Sequence, residues 1–269
     1  MLIKARAIVE IIKWSLSTNH NNSWTERFLG IVNTLNPLFS PTIIILLSHK
    51  RTASTLFCSL AGQYKDVFGA YEILNPKAYP GIPLNNSTDA VNFIHMMSKR
   101  KPYFIFKVFP EQLERLNIDC HELPKLFDNQ KTIWLHLIRE NSLKQFASLK
   151  RAEITDIWLL NTNEKNDLSQ TINLDLNEYR IFREKIVNYD KNIATIFSNS
   201  NYYRLTYEQL TKRPQYWFDR YFSELICTTT TTELTIPYTK QGTNLNQSIE
   251  NWAELQTEIP DNFKRHELC

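Results

Sequence analysis

The order of apolar runs along the chain predicts a fold in which strands and helices alternate. Thr42–Leu47 and Thr132–Ile138 are continuous apolar stretches of strand length, a pattern typical of strands that are buried on both faces of a parallel sheet. After each of them the apolar spacing becomes helical, over Thr55–Leu60 and over Leu143–Ala152. We therefore expect an α/β fold with three layers, in which a central, mainly parallel sheet is flanked by helices.

Further elements are predicted on both sides of the second unit. Tyr103–Val108 and Tyr202–Tyr207 have the composition of strands. Between Tyr179 and Phe197 an apolar stripe repeats at steps of three and four residues, which indicates a helix that faces the core rather than a cofactor site. A second helix is expected over Tyr216–Ile226, after the break at Pro214.

A basic turn rich in hydroxyl groups lies between the first predicted strand and its helix. The segment Ser48–Ser54 carries Lys50 and Arg51 together with Ser and Thr side chains. Cations, hydroxyl groups and the free N–H groups of a helix N-terminus together favour a phosphate or a sulfate. There is no Gly between Thr42 and Ala61, so the turn is not the glycine-rich loop of common kinases and GTPases.

The second unit repeats this arrangement. Arg139 lies at the carboxyl end of the strand Thr132–Ile138, and Asn141 is a good N-cap for the helix that follows. Ligands of open parallel sheets bind beyond the carboxyl ends of the strands. We therefore expect Arg139 and the turn around Arg51 to face one cleft and to offer it two anion sites.

Composition and charge exclude several classes of protein. The chain has 269 residues and a net charge of +3, and its basic residues are scattered, so nucleic acid is not an expected partner. Four widely spaced cysteines indicate neither a zinc site nor a disulfide framework. The sequence therefore predicts a cytoplasmic protein without metal. Leu2–Leu16 is apolar on one face, which fits a helix packed on the domain or, less favoured, peripheral contact of residues 1–20 with the inner membrane.

Four segments resemble, in order, the sulfotransferases that use 3′-phosphoadenosine 5′-phosphosulfate (PAPS), especially the bacterial carbohydrate and glycolipid branch. RTASTL at Arg51–Leu56 is similar to the family's P-loop-like 5′-phosphosulfate loop, and IRENSLKQFASLKRA at Ile138–Ala152 to its 3′-phosphate segment. LTYEQL at Leu205–Leu210 and KQGTNLNQSIENWAEL at Lys240–Leu255 are similar to its later motifs. The resemblance predicts one domain over residues 1–269, with 1–40 as a helical extension and 42–255 as the core.

The resemblance also implies roles for individual residues. The 5′-phosphosulfate would be held by the loop residues Arg51, Thr52, Ala53, Ser54, Thr55 and Leu56. The 3′-phosphate would be held by Arg139, Ser148, Lys240, Gln241 and Gly242. Tyr207 would lie against the adenine; a core residue at the end of its strand is the alternative reading, and the sequence favours neither. PAPS would be the donor and 3′,5′-adenosine diphosphate (PAP) the product, with no metal involved.

Three positions depart from the family pattern. Ala53 stands where Gly is usual, so the loop is expected to need a negative φ at this residue. Arg139 and Ser148 are nine positions apart, where eight is common, and Glu140 occupies the nearer register. Phe109 stands where the branch acting on small molecules has a basic His, whereas Lys107 is retained.

The resemblance implies direct transfer to a hydroxyl group, with three catalytic residues. Glu72 is the candidate general base, and an ordinary surface Glu is the alternative reading of the same residue. Lys107 would reach the transferring sulfonate, and Arg51 would stabilise the leaving phosphate. The acceptor would be a hydroxyl of a saccharide, a lipid-linked sugar or a related small molecule, with Glu72–Asp89 and Trp158–Tyr179 lining its site.

Two other functions remain open from the sequence. One is a non-catalytic relative that keeps the cleft only to bind PAPS or PAP, which Ala53 and the shifted Arg139 favour. The other, less favoured, is a nucleotide-dependent kinase, which would need a glycine-rich loop and a carboxylate that binds Mg²⁺.

Overall fold

The computed structural model describes residues 40–79, 82, 84–128, 131–160, 171–198, 200–226, 233–238 and 245–258. The predicted amino-terminal helix and Lys240, Gln241 and Gly242 lie outside these ranges. Each of the two segments expected to line the acceptor site is described in part.

A five-stranded sheet forms the centre of the described part of the chain. The strands are β1 (Thr42–Ser48), β2 (Val67–Gly69), β3 (Tyr103–Val108), β4 (Thr132–Ile138) and β5 (Tyr202–Thr206). Their order is β2-β3-β1-β4-β5, and every neighbouring pair is parallel. The predicted α/β fold with a parallel sheet is thereby confirmed. All seven residues of β1 are buried, as expected for a central strand that is covered on both faces.

Helices connect the strands and cover the sheet. They are α1 (Ser54–Ala61), α2 (Ser87–Ser98), α3 (Pro110–Arg115), α4 (Leu123–Leu126), α5 (Ser142–Thr155), α6 (Leu176–Ile196), α7 (Tyr207–Lys212), α8 (Pro214–Trp217), α9 (Ser223–Ile226), α10 (Leu245–Ser248) and α11 (Trp252–Leu255). A π-helical turn, Phe218–Phe222, joins α8 to α9, and a 3₁₀ turn, Gln256–Glu258, follows α11.

The two faces of the sheet carry separate apolar cores, because successive strand residues point to opposite sides. Ile43, Ile45 and Leu47 of β1 pack in one core with Phe93 of α2 and Ile193 of α6. On the other face, Ile44 and Leu46 pack with side chains that include Phe57 and Leu60 of α1 and Phe218 and Phe222 of the π-helical turn. The helices that cover these two cores, with the sheet between them, form the three layers that the apolar pattern predicts.

The apolar stripe of the helix near residues 179–197 and the cap at Asn141 are found as the sequence predicts, whereas the end of β5 is not. Tyr179, Ile186 and Ile193 are the buried residues of α6, which confirms the prediction of a helix facing the core. The Asn141 side chain accepts from the Lys144 N–H and caps α5, as expected. Tyr207, however, is the first residue of α7 rather than the last of β5, because Thr206 and Gln209 form a capping box that starts the helix there.

Gly69 allows β2 to lie close to α1. A Cβ atom at this position would be 2.9 Å from the carbonyl oxygen of Cys58, closer than a methyl group and an oxygen can approach. Beyond β2 the chain continues to follow β3, since the Lys107 N–H donates to the Tyr71 carbonyl over 2.9 Å. The bond to β3 thus holds Tyr71, and with it the start of the segment that contains Glu72, beside the end of this strand.

No helix among the described residues is both long enough and apolar enough to cross a membrane.

Candidate anion-binding cleft

A cleft of about 1410 Å³ opens where β1, β3 and β4 end. The described residues that line it include Arg51, Ala53, Ser54, Thr55, Leu56, Glu72, Lys107, Arg139, Ser148 and Tyr207. Because β3, β1 and β4 are adjacent and parallel, their carboxyl ends meet at one edge of the sheet. The structure therefore brings together most of the residues that the sequence singles out, although they lie far apart along the chain.

Positive charge dominates the cleft. Among its described lining residues, seven are cationic and one, Glu72, is acidic; the cationic residues are Lys50, Arg51, Lys77, Lys107, Arg139, Lys144 and Arg151. Lys107 is paired with Glu72 and Lys50 with Glu111, and the excess of cationic over acidic residues in the lining favours a bound anion. The arrangement suits a ligand that carries several negative charges.

Three side chains form a hydrogen-bonded line on one wall of the cleft. Lys107 Nζ lies 2.9 Å from Glu72 Oε1 and donates to Thr55 Oγ1 over 2.6 Å. The other Glu72 oxygen, Oε2, accepts from Asn75 Nδ2 over 2.9 Å. Lys107 is 4% exposed and Glu72 about a third exposed, at 30%. We call Glu72, Lys107 and Thr55 the open ionic group.

Arg51 and Ser148 are in direct contact. Arg51 Nε donates to Ser148 Oγ over 2.9 Å, and Arg51 Nη1 donates to the Trp158 carbonyl over 2.5 Å. The resemblance assigns Arg51 to the 5′ end of the donor and Ser148 to the 3′ end, yet the structure joins them. Burial, reinforced by the nearby Arg139 guanidinium, lowers the pKa of Arg51, but an arginine remains charged at neutral pH.

Arg139 packs against both the loop and Tyr207. Its guanidinium carbon lies 4.1 Å from the centre of the Tyr207 ring, and Nη1 donates to the Arg51 carbonyl over 3.0 Å. Burial is the main cause that lowers its pKa. The Nε atom is buried and has no hydrogen-bond partner among the described residues. Tyr207 is therefore placed beside the cleft by stacking on this cation.

Two loop residues differ from the sequence expectation. Ala53 has φ 65° and ψ 24°, so the negative φ expected at this position is wrong. A left-handed alanine costs about 1 kcal/mol or more relative to glycine. The Thr52 side chain is 1% exposed and donates to the His49 carbonyl over 2.9 Å, so it holds the turn together and does not line the cleft.

A second ionic group lies on the other face of the sheet. His136 Nε2 is 2.9 Å from Asp190 Oδ1, and His136 Nδ1 is 2.8 Å from the Tyr202 hydroxyl. His49 Nε2 lies 3.7 Å from the same Asp190 oxygen. We call His136, Asp190, Tyr202 and His49 the closed ionic group, since none of them is among the residues that line the cleft.

Sequence reasoning missed two polar residues at the site. Gln145 is 1% exposed, and its Nε2 donates to the Lys50 carbonyl over 2.8 Å. It precedes Ser148 by three residues in α5, so both lie on one face of the helix; that spacing was the available signal. Asn75, which binds Glu72, lies in a loop whose path no local pattern predicts.

Comparisons with known proteins give similar folds at low identity. No family model matches the chain, and no curated protein matches it in sequence. The sulfotransferase domain from the curacin biosynthetic pathway is 16% identical, with a TM-score of 0.44, over 77% of this chain and 82% of that one. The sulfotransferase domain of the Synechococcus PCC 7002 olefin synthase is 13% identical, with a TM-score of 0.44, over 81% and 85%.

A third solved structure, retinol dehydratase in complex with retinol and PAP, is 14% identical, with a TM-score of 0.34, over 77% of this chain and 66% of that one. Likenesses at these TM-scores assign no role to any residue of the present chain. The function proposed below is therefore argued from the contacts within the cleft.

Proposed function

We propose that this protein is a PAPS-dependent sulfotransferase that moves a sulfuryl group to a hydroxyl of a carbohydrate, a glycolipid or a related small-molecule acceptor. The observation that carries the proposal is the cleft at the ends of β3, β1 and β4, whose described lining has seven cationic side chains and one carboxylate, Glu72, which is paired with Lys107. PAPS carries charge at two separate positions, and the cleft offers cations at the ends of several strands.

The chemistry needs charge neutralisation and one base. In the in-line displacement, the acceptor oxygen forms a bond to sulfur while the bond from sulfur to the bridging oxygen of the donor breaks, and the 5′-phosphate of PAP takes the electron pair. Transfer of this type passes through a loose transition state, in which negative charge grows on the leaving group and on the equatorial oxygens. Lys107, which contacts Glu72 and Thr55, would stabilise that charge.

The proton of the acceptor hydroxyl would pass to Glu72. This carboxylate is oriented by Lys107 on one oxygen and by Asn75 on the other, and each carboxylate oxygen has a second lone pair with which it can accept. Phe109 occupies the position at which the branch acting on small molecules has its basic His. In this proposal Glu72 takes over the role of that His as the base. Phe109 lines the same cleft, with its ring centre 5.1 Å from Lys107 Nζ.

Calorimetry tests the donor. PAP should bind more tightly than ATP with Mg²⁺, because a cleft lined by seven cationic residues gains charge-assisted hydrogen bonds from the 3′-phosphate of PAP. An assay of sulfuryl transfer from PAPS to a panel of saccharide and lipid acceptors then tests the reaction. A preference for ATP with Mg²⁺ would indicate a kinase, and PAP binding without transfer to any acceptor in the panel would favour a binding module.

A further inference from the structure

Three successive carbonyl groups of the basic turn are held by side-chain donors. The His49 carbonyl accepts from Thr52 Oγ1, the Lys50 carbonyl from Gln145 Nε2 and the Arg51 carbonyl from Arg139 Nη1, over 2.9, 2.8 and 3.0 Å. Since the C=O and N–H of one peptide plane point in opposite directions, these bonds also fix the direction of the amide groups that follow.

The turn needs this support because it lacks glycine. Arg51 and Ala53 both have positive φ, at 66° and 65°, a conformation that persists only where the surroundings impose it. Gln145 from α5 and Arg139 from the end of β4 supply two of the three bonds. Arg139 is thus engaged with the loop backbone and with the Tyr207 ring.

The Arg51 side chain is directed toward α5. Its Nε donates to Ser148 and its Nη1 to the Trp158 carbonyl, and both partners lie in or just after the segment that resembles the 3′-phosphate segment. The 5′ end of the cleft retains the N-terminus of α1 and Lys107, which donates to Thr55.

We infer that Arg51, together with Ser148, binds the 3′-phosphate of the donor, and that Arg139 acts as a positioning residue that holds the Arg51 carbonyl. The inference rests on the proposed function, because it concerns the donor of that reaction. It also explains the spacing of nine residues between Arg139 and Ser148: the contact with Ser148 is made by Arg51 from the neighbouring strand end, so Arg139 need not be in register with it.

The test compares three nucleotides by calorimetry: PAP, adenosine 5′-monophosphate (AMP) and adenosine 3′-monophosphate. Arg51→Gln should weaken the binding of PAP and of the 3′-monophosphate by about 10- to 100-fold, and that of 5′-AMP by less than about threefold. Ser148→Ala should show the same selectivity with a smaller loss. In the Arg51→Gln background, Ser148→Ala should add little, because the two residues act together.

Arg139→Gln is the matched control. It should weaken PAP and 5′-AMP by the same factor and leave their ratio unchanged, since a loosened turn affects both ligands alike. Its unfolding midpoint in urea is measured alongside, because a merely structural role would shift the midpoint and leave the affinity of the folded protein as it was.

Two outcomes would overturn the inference. One is an equal loss of PAP and 5′-AMP binding in Arg51→Gln, which would place Arg51 at the 5′-phosphate. The other is a selective loss of PAP binding in Arg139→Gln, which would make Arg139 the residue that binds the 3′-phosphate. Failure of the proposed function is seen separately in the wild-type protein, which would then prefer ATP with Mg²⁺ to PAP or would bind PAP without transferring a sulfuryl group to any acceptor.

Discussion

The open and closed ionic groups lie at nearly the same height on opposite faces of one sheet. Lys107 of β3 is in register with Leu46, and His136 of β4 with Leu47. Both pairs bring a carboxylate to within 2.9 Å of a nitrogen. They differ in surroundings: Lys107 and Glu72 line the cleft, whereas His136 is 1% exposed beneath α6 and lies outside the cleft lining.

A carboxylate that lies close to a nitrogen does not by itself mark a reactive site. His136 is buried and hydrogen-bonded at both ring nitrogens, to Asp190 and to Tyr202, so this pair is chiefly structural, and the loss of Asp190 leaves His136 without compensation. A pair at the edge of a cleft can exchange its partners for a ligand. Substitutions in the open ionic group should therefore lower activity more than stability. Substitutions in the closed ionic group should lower stability more than activity.

The largest effect is expected at Glu72. Glu72→Gln should lower the turnover of sulfuryl transfer by about 10²- to 10⁴-fold, because the change removes the proposed general base, while PAP affinity changes by less than about threefold. Steady-state kinetics with an acceptor found in the transfer assay, together with calorimetry, measures both. Glu153→Gln is the matched control, since Glu153 is a carboxylate paired with a lysine on the exposed side of α5. Near-normal turnover in Glu72→Gln would remove this residue from the mechanism.

An intermediate effect, on stability alone, is expected in the closed ionic group. Asp190→Ala removes the acceptor of His136 Nε2 and should lower the free energy of unfolding by about 1–3 kcal/mol. Urea denaturation measures the loss, and Tyr202→Phe serves as a milder variant of the same group. A tenfold fall in PAP affinity with unchanged stability would instead connect this group to the cleft.

The smallest effect is the pH dependence of His49. Burial lowers the pKa of His49 below its usual 6.5, with His136 acting in the same direction and Asp190 and Glu111 opposing. The unfolded chain therefore binds more protons than the folded one as the pH falls through 6.5, so this residue's contribution to stability is present above that pH and declines below it.

Replacement of the His49 imidazole tests whether this residue lowers the stability of the fold as the pH falls. His49→Gln should flatten the fall in the urea midpoint between pH 7.5 and pH 5.5 without affecting the Glu72–Lys107 pair. A steeper fall in the variant would show that the charge of His49 stabilises the fold.

The sequence predicted the parts of the site that depend on local pattern. The apolar runs of β1, β3 and β4 and the cap at Asn141 are encoded within a few residues, and strand ends follow from them. This is why Arg51, Lys107 and Arg139 could be expected at one edge of the sheet.

Contacts between distant residues were not predictable. The bond from Gln145 to the Lys50 carbonyl, the contact of Arg51 with Ser148 and the position of Asp190 beside two histidines each depend on how helices pack on the sheet. The left-handed Ala53 runs against local preference and is imposed by its surroundings. A single sequence carries no signal for such a position.

The close approach of β2 to α1 at Gly69 has a consequence for the reaction itself. Thr55 belongs to α1, and Glu72 follows β2 by three residues, so the gap that Lys107 spans is set by how tightly that strand and that helix meet. One added methyl group, on a residue outside the cleft lining, would wedge the two elements apart. The contact of Gly69 with the backbone of Cys58 thereby helps to set the distance between Glu72 and Thr55, the two partners of Lys107.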